Sequence, residues 1–472
     1  MGTNTESKET KDLKKKLFRE QSRTWDTLSM EERDEVAAYA EEYIGFLNRC
    51  RTERQTVKFL KGIAEQFDFL DLDGAQTTGL RWYREVHNKT LLLAVLGKRP
   101  VNEGVRLIAS HVDTPRLDLK PNPLYEDMGL ALLKTHYYGG VKKYQWVART
   151  LALCGTVIRG DGSVLELSIG LEPNDPVLTI PDLLPHLGKK HMEQKASEFI
   201  PAENLNVLLG STPFEDKETE ERVKLAVLNL LHTEFNITEE DLTTAELQIV
   251  PAEPARHAGI DRSLIAGYGQ DDRVCVYTSF TALMETLEPV HTAIAVFYDK
   301  EEIGSEGNTS AQSRMLDLFL MDLMERTGIT PTSHRLHQIF SRSKAISADV
   351  CAAMDPTYPD VFEKRNNARL GFGINITKYT GSGGKYLASD AHAEYAAWVR
   401  RLFTANRVTW QAAASGKVDE GGGGTVAKYL AKSGIEIIDA GPPLLGMHSP
   451  VEISAKEDVW MCHRAYKAFF GS

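Results

Sequence analysis

After about residue 257, short apolar runs of strand length alternate with stretches of helical period, and this alternation constrains the fold more than any other feature. The run TAIAVFYD (292–299) reads as a buried strand between the helices DDRVCVYTSFTALMETL and MLDLFLMDLMERTG. AISADV (345–350), AHAEYAAWVRRLFTAN and IEIIDAG (435–441) follow as strand, helix and strand. Upstream, LRWYREVHNKTLLLAVLG reads as a hairpin and VRLIAS (105–110) as a further buried strand. The rhythm predicts an α/β fold with a sheet sandwiched between helices.

That rhythm is interrupted once. From about 125 to 257, short alternating runs (LALCGTVI, VLELSIG, PVLTI) are broken by Gly, Asn, Asp and Pro, and charged helical stretches follow. We read 125–257 as an inserted, mainly β module that divides the α/β domain into 1–124 and 258–472. A chain of 472 residues suits such a division. The segment before Arg54 carries Leu17, Trp25, Tyr39, Tyr43 and Phe46 at helical spacing and reads as covering helices.

Charge and cysteine usage narrow the partners. A net charge of −11 argues against a nucleic-acid partner, since phosphate binders carry surplus Lys and Arg. No apolar signal segment opens the sequence and no run of eighteen apolar residues follows, so we expect a cytoplasmic protein with no membrane partner. The cysteines at 50, 154, 275, 351 and 462 form no CxxC pair and read as buried free thiols. A bound metal would then be held by histidines and carboxylates.

In α/β sheets, functional groups gather beyond the carboxyl ends of strands. Five places qualify: His111 and Asp113 after VRLIAS, Glu301 and Glu302 after AIAVFYDK, Asp349 at the end of AISAD, His448 after IEIIDAG, and Asp271 with Asp272 after GYGQ. Singly, each has a bland explanation. Asp271 or Asp272 could cap a helix, a lone histidine is more often a hydrogen-bonded loop residue, and paired acids are usually solvated. Their coincidence at one sheet edge is what suggests chemistry. Two imidazoles and three carboxylates suit two divalent ions, and one hydroxide completes neutrality, which permits burial.

The strings SHVDTP (110–115), GQDDR (269–273), YDKEEIGSEG (298–307), SADV (347–350) and GMHSP (446–450) resemble, in order, the five metal-site motifs of the M18 metallo-aminopeptidases, a family that includes aspartyl aminopeptidase. The resemblance implies a zinc-peptidase-like α/β/α sandwich split by a dimerisation domain. It implies that His111, Asp271, Glu302, Asp349 and His448 bind two ions, Zn2+ or else Co2+ or Mn2+, with Asp271 bridging. A water between the ions would attack the N-terminal peptide bond of an unblocked peptide, with Glu301 as general base. Asp113 would accept a hydrogen bond from the distal ring nitrogen of His111. Gly423 and Gly424, in DEGGGGT (419–425), would offer backbone N–H groups to substrate. His186 resembles a histidine that reaches a neighbouring subunit's site, in dimers stacked into a tetrahedral dodecamer.

Acidic N-terminal specificity requires a cation, and GFGINITKY (371–379) places either Asn375 or Lys378 at the expected position. A neutral or broader preference is therefore open. Rival readings are a di-zinc carboxypeptidase, an N-acyl amino acid deacylase, and a catalytically silent scaffold of the same fold. TGSGGKYLAS (380–389) fails as a P-loop, because Tyr379 takes the first glycine position and Tyr386 follows Lys385.

Overall fold

A computed structural model describes residues 7–19, 21–414 and 416–472. Its main element is a nine-stranded sheet in which Thr292–Tyr298, Val105–His111, Lys344–Ser347 and Glu436–Gly441 are parallel neighbours. Register aligns their carboxyl ends: Tyr298 pairs with His111, and Ser347 with both Ala109 and Asp439. Everything that follows these strands emerges on one edge.

The sheet is covered on both faces. All seven residues of Thr292–Tyr298 and all seven of Val105–His111 are buried, as continuous apolar runs in a parallel sheet require. Alternate side chains serve separate cores: Ala293, Ala295 and Phe297 join one, while Ile294, Val296 and Tyr298 join the other. The first core is closed by Met30–Arg49, Glu53–Gln66, Gln270–Met284 and Lys456–Phe470; the second by Met315–Arg326, Ser333–Arg342 and Ala427–Ala431. The expected α/β class holds. Phe297 is fully buried near Phe280, so Phe297→Ala should cost about 3–5 kcal/mol, measured by denaturant unfolding.

The hairpin expected after residue 80 pairs Arg81–Val86 with Thr90–Val95. His87 and Asn88 both adopt positive φ, 53° and 55°, the turn that matches strand twist. Of the N-terminal residues, Tyr43 and Phe46 are buried, whereas Leu17 and Trp25 are exposed. No helix among the described residues is long and apolar enough to cross a membrane, and all five cysteines are free and buried.

A second sheet of six antiparallel strands is built from Arg116–Asp127, Leu130–Tyr138, Leu151–Ile158, Val164–Ile169, Asn206–Gly210 and Glu246–Pro251. It has its own core and carries the helix Arg222–Phe235. Because Arg116–Asp127 belongs wholly to this sheet, a boundary between 124 and 125 would cut a strand. The second sheet begins at Arg116, five residues beyond His111.

Candidate metal centre

The aligned strand ends bring the expected acids and histidines together. His111 ends its strand and is buried, with Nε2 3.3 Å from Asp271 Oδ1. His448 reaches in from the loop after Pro443–Leu444, with Nε2 3.2 Å from Asp271 Oδ2 and 3.3 Å from Glu302 Oε1. One carboxylate thus lies between two imidazoles, one oxygen to each. Ligand atoms of His111, Asp271 and Glu302 lie within 4.8 Å of one another, and so do those of Asp271, Asp272 and Asp349. Asp271 is common to both groups.

Neither Asp271 nor Asp272 has helical backbone angles, although both fall within Gln270–Met284. Asp272 accepts the backbone N–H of His111 at 3.3 Å. Two further acids hold the frame. Glu452, fully buried, accepts the N–H of Asp271 at 3.1 Å and of His448 at 2.8 Å. Sequence reading missed Glu452, which follows the histidine motif with no apolar or spacing signal of its own.

Asp113 lies beside the distal ring nitrogen of His111. The Nδ1 of His111 lies 3.0 Å from the Asp113 main-chain carbonyl, against 3.5 Å from its carboxylate. That carboxylate also accepts the consecutive N–H groups of Glu301 (3.0 Å) and Glu302 (3.1 Å), and the Tyr138 hydroxyl (2.8 Å). The reason lies in the turn. Lys300 has φ +68°, and the short 3-10 turn Glu301–Ile303 leaves its first N–H groups without internal partners. Asp113 satisfies them, so it positions both catalytic candidates rather than the histidine alone.

Crowding of buried acids shapes the electrostatics. Burial, reinforced by Asp272, pushes the Asp349 carboxyl well above its ordinary range; burial and Asp271 do the same to Glu302. Glu301 rises to about 7 through burial and the nearby Asp113 and Asp271 charges, and Glu452 rises to about 8 through burial and Asp271. Burial opposes charge on the histidines, but Asp113 and Asp271 outweigh it for His111. Asp271 and Glu302 do so for His448, raised to about 10. The cluster holds more negative charge than two imidazoles balance. Asp271 Oδ1, Asp272 Oδ1 and Glu302 Oε1 are buried without a hydrogen-bond partner, and the donor set fits divalent cations.

These groups line a cleft of about 680 Å³, together with Glu301 and the run Gly421–Gly424. Close approach requires one of these glycines: Gly422 has φ +131°, and a Cβ there would meet Gly381 O at 1.9 Å. Gly381 N–H also donates to Gly423 O at 2.7 Å. Asn375 and Lys378 are not among the cleft residues. Asn375 is buried and donates to Thr377 Oγ1 at 2.6 Å, so Thr377 meets the cleft in its place; Lys378, one residue on, is exposed. The cations that do line it are Lys385, Lys417 and Lys428. His186 is exposed in the inserted module and lines no part of its own chain's cleft.

A family model described as "Aminopeptidase I zinc metalloprotease (M18)" matches residues 46–470. The chain belongs to the M18 family of metallo-aminopeptidases. A probable M18 family aminopeptidase 1 of Clostridium acetobutylicum is 43% identical over 462 residues, covering 97% of this chain and 99% of that protein. The M18 aminopeptidase crystal structure from Thermotoga maritima superposes with a TM-score of 0.92 at 43% identity, covering 96% of this chain and 99% of that one. The more distant mApe1 dodecamer, 22% identical with a TM-score of 0.74 over 92% of this chain and 96% of its own, shares the fold.

Proposed function

We propose that this M18 aminopeptidase removes the N-terminal residue of unblocked peptides, with Glu301 as general base. The observation that carries the reading is the Asp271 carboxylate lying between the two imidazoles, with an orphaned Glu302 oxygen beside it. His111, Glu302, Asp349 and His448 would hold two divalent ions, with Asp271 shared. Zinc, or else cobalt or manganese, would supply there an acidified water and a polarised scissile carbonyl. Glu301 belongs to neither ligand group yet lines the same cleft. Its carboxylate takes the proton of the attacking water and delivers it to the leaving amine. The backbone N–H groups of Gly423 and Gly424 face the substrate chain. Neither Asn375 nor Lys378 lines the cleft; the cations available there to an acidic N-terminal side chain are Lys385, Lys417 and Lys428.

The inserted sheet serves as a dimerisation module. Around His186, Leu183 (56% exposed), Leu184 (50%), Leu187 (72%) and Met192 (70%) form an apolar surface suited to a second copy. In the assembly His186 completes the neighbour's cleft, and a tetrahedral dodecamer of such dimers is the closed form. Buried free thiols support a cytoplasmic setting.

Aminoacyl p-nitroanilides and their N-acetylated counterparts, assayed with defined metals, separate the aminopeptidase from its rivals. Unblocked substrates should turn over at least about 100-fold faster, as expected where a site built for a polar group meets its absence. Chelation should abolish turnover, and Zn2+, Co2+ or Mn2+ should restore it. Release of acetate from the acetylated substrates, with the p-nitroanilide bond left intact, would favour the deacylase.

A further inference from the structure

The end of the strand Leu130–Tyr138 belongs to the inserted sheet, yet it lies against the metal centre at three consecutive residues. Tyr138 donates its hydroxyl to Asp113 Oδ2 at 2.8 Å. Gly139, at φ +71°, packs so closely that a Cβ there would sit 3.3 Å from Glu302 Cβ. A Cβ on Gly140 would sit 3.1 Å from His448 Nδ1. The Tyr138 ring is itself fixed by the Arg116 guanidinium, 3.7 Å from its centroid. Arg116 is buried and its charge is met by Asp118 at 2.8 Å and Glu53 at 3.7 Å.

We infer that Tyr138 is a positioning residue for Glu301 and Glu302, supplied by the inserted module and acting through Asp113. Asp113 accepts the N–H groups of both glutamates, so its orientation sets the pitch of the turn that aims one carboxylate at the ligand groups and leaves the other in the cleft. Those two N–H groups come from a single short turn, and the His111 ring nitrogen stands farther from the carboxylate, at 3.5 Å. The Tyr138 hydroxyl, arriving from a different sheet, supplies an anchor outside that turn. The insertion is therefore a structural part of the catalytic centre as well as a surface for association. The kinetic consequence rests on the proposed aminopeptidase reading; the structural consequence does not.

Tyr138→Phe removes the hydroxyl and keeps the ring against Arg116. In hydrogen–deuterium exchange on the full chain, it should accelerate the Glu301 and Glu302 amides about 10-fold and leave the Thr292–Tyr298 strand unchanged, the size expected for losing one hydrogen bond to a charged acceptor. Turnover of an unblocked aminoacyl p-nitroanilide should fall about 10-fold in kcat, with KM within about twofold, because an aim rather than a substrate contact is lost. Placing p-aminophenylalanine at 138 restores a para N–H donor and should restore both readings. Unchanged exchange at 301 and 302 in Tyr138→Phe would overturn the inference, as would loosening shared by the whole sheet. If Phe prevents folding, the p-aminophenylalanine chain decides: retained protection supports the inference, and protection lost at these two amides alone overturns it. Altered exchange without any aminopeptidase activity would fault the proposed function and leave the positioning role standing.

Discussion

Glu301→Gln is expected to lower kcat on unblocked aminoacyl p-nitroanilides by about 10²–10⁴-fold, the range for loss of a general base. Its metal content should stay at the wild-type value. The two halves of this result follow from one turn. Glu301 and Glu302 leave the strand Thr292–Tyr298 together, but Glu302 Oε1 lies 3.3 Å from His448 Nε2 and joins the His111 and Asp271 group, while Glu301 joins no such group. Glutamine keeps the size and the backbone N–H that Asp113 accepts, so the turn survives the change. Only proton transfer is removed. Glu302→Gln should behave in the opposite manner, losing metal first and activity in consequence, as inductively coupled plasma mass spectrometry on both variants would show.

Removing the metal is expected to reverse the pH dependence of stability. In the metal-free protein, Glu301 is raised to about 7, Glu452 to about 8 and His448 to about 10, while Glu302, Asp349 and Asp272 are held well above the carboxylate range. A folded-state pKa raised above the unfolded one gives stability that is complete below the unfolded value and is lost as pH rises toward the folded value. Between pH 6 and 8 all these groups act in that direction. For buried Glu452 alone the loss is on the order of 1 kcal/mol per pH unit. Carboxylates held below their ordinary values, such as Glu53 at about 2, have finished titrating at lower pH, and among the described residues only His291, lowered by burial, opposes the trend. Chelator-treated protein should therefore melt at a lower temperature at pH 8 than at pH 6. Metal-loaded protein should do the reverse, because the cations require deprotonated ligands and bind more tightly as pH rises. A chelated sample that gains stability over this range would contradict the account of a crowded, charge-frustrated acid cluster.

Much of this site was legible before any coordinates because of how parallel sheets are built. A strand buried on both faces must be a continuous apolar run, so VRLIAS and TAIAVFYD announce themselves, and the polar residues that follow them mark one edge. His111 and Glu302 lie there for that reason, and Asp271 and His448 reach the same edge from elements outside the parallel sheet. What stayed hidden depends on contacts that no local pattern encodes. The role of Asp113 turns on which donors its carboxylate meets, and those come from Glu301, Glu302 and Tyr138. Glu452 holds Asp271 and His448 by their backbone N–H groups, contacts that its position at the start of a short strand does not announce. The choice between Asn375 and Lys378 was beyond reading because neighbouring strand positions point to opposite faces, so a shift of register exchanges core for solvent. In the structure Thr377, between them, takes the cleft side. The strand Arg116–Asp127 is hard to read for a related reason: RLDLKPNPLYED alternates poorly at KPNP, where the strand's register shifts between Leu119 and Leu124.

The central claim is that Asp271 is shared by two cations, with Glu302 a ligand and Glu301 outside both coordination spheres. Anomalous diffraction at the zinc edge from zinc-loaded crystals tests it most directly. The account expects two peaks flanking the Asp271 carboxylate, one on the His111 side and one on the His448 and Glu302 side, with the Glu301 carboxylate bound to neither. A single peak, or a peak coordinated by Glu301, would contradict it.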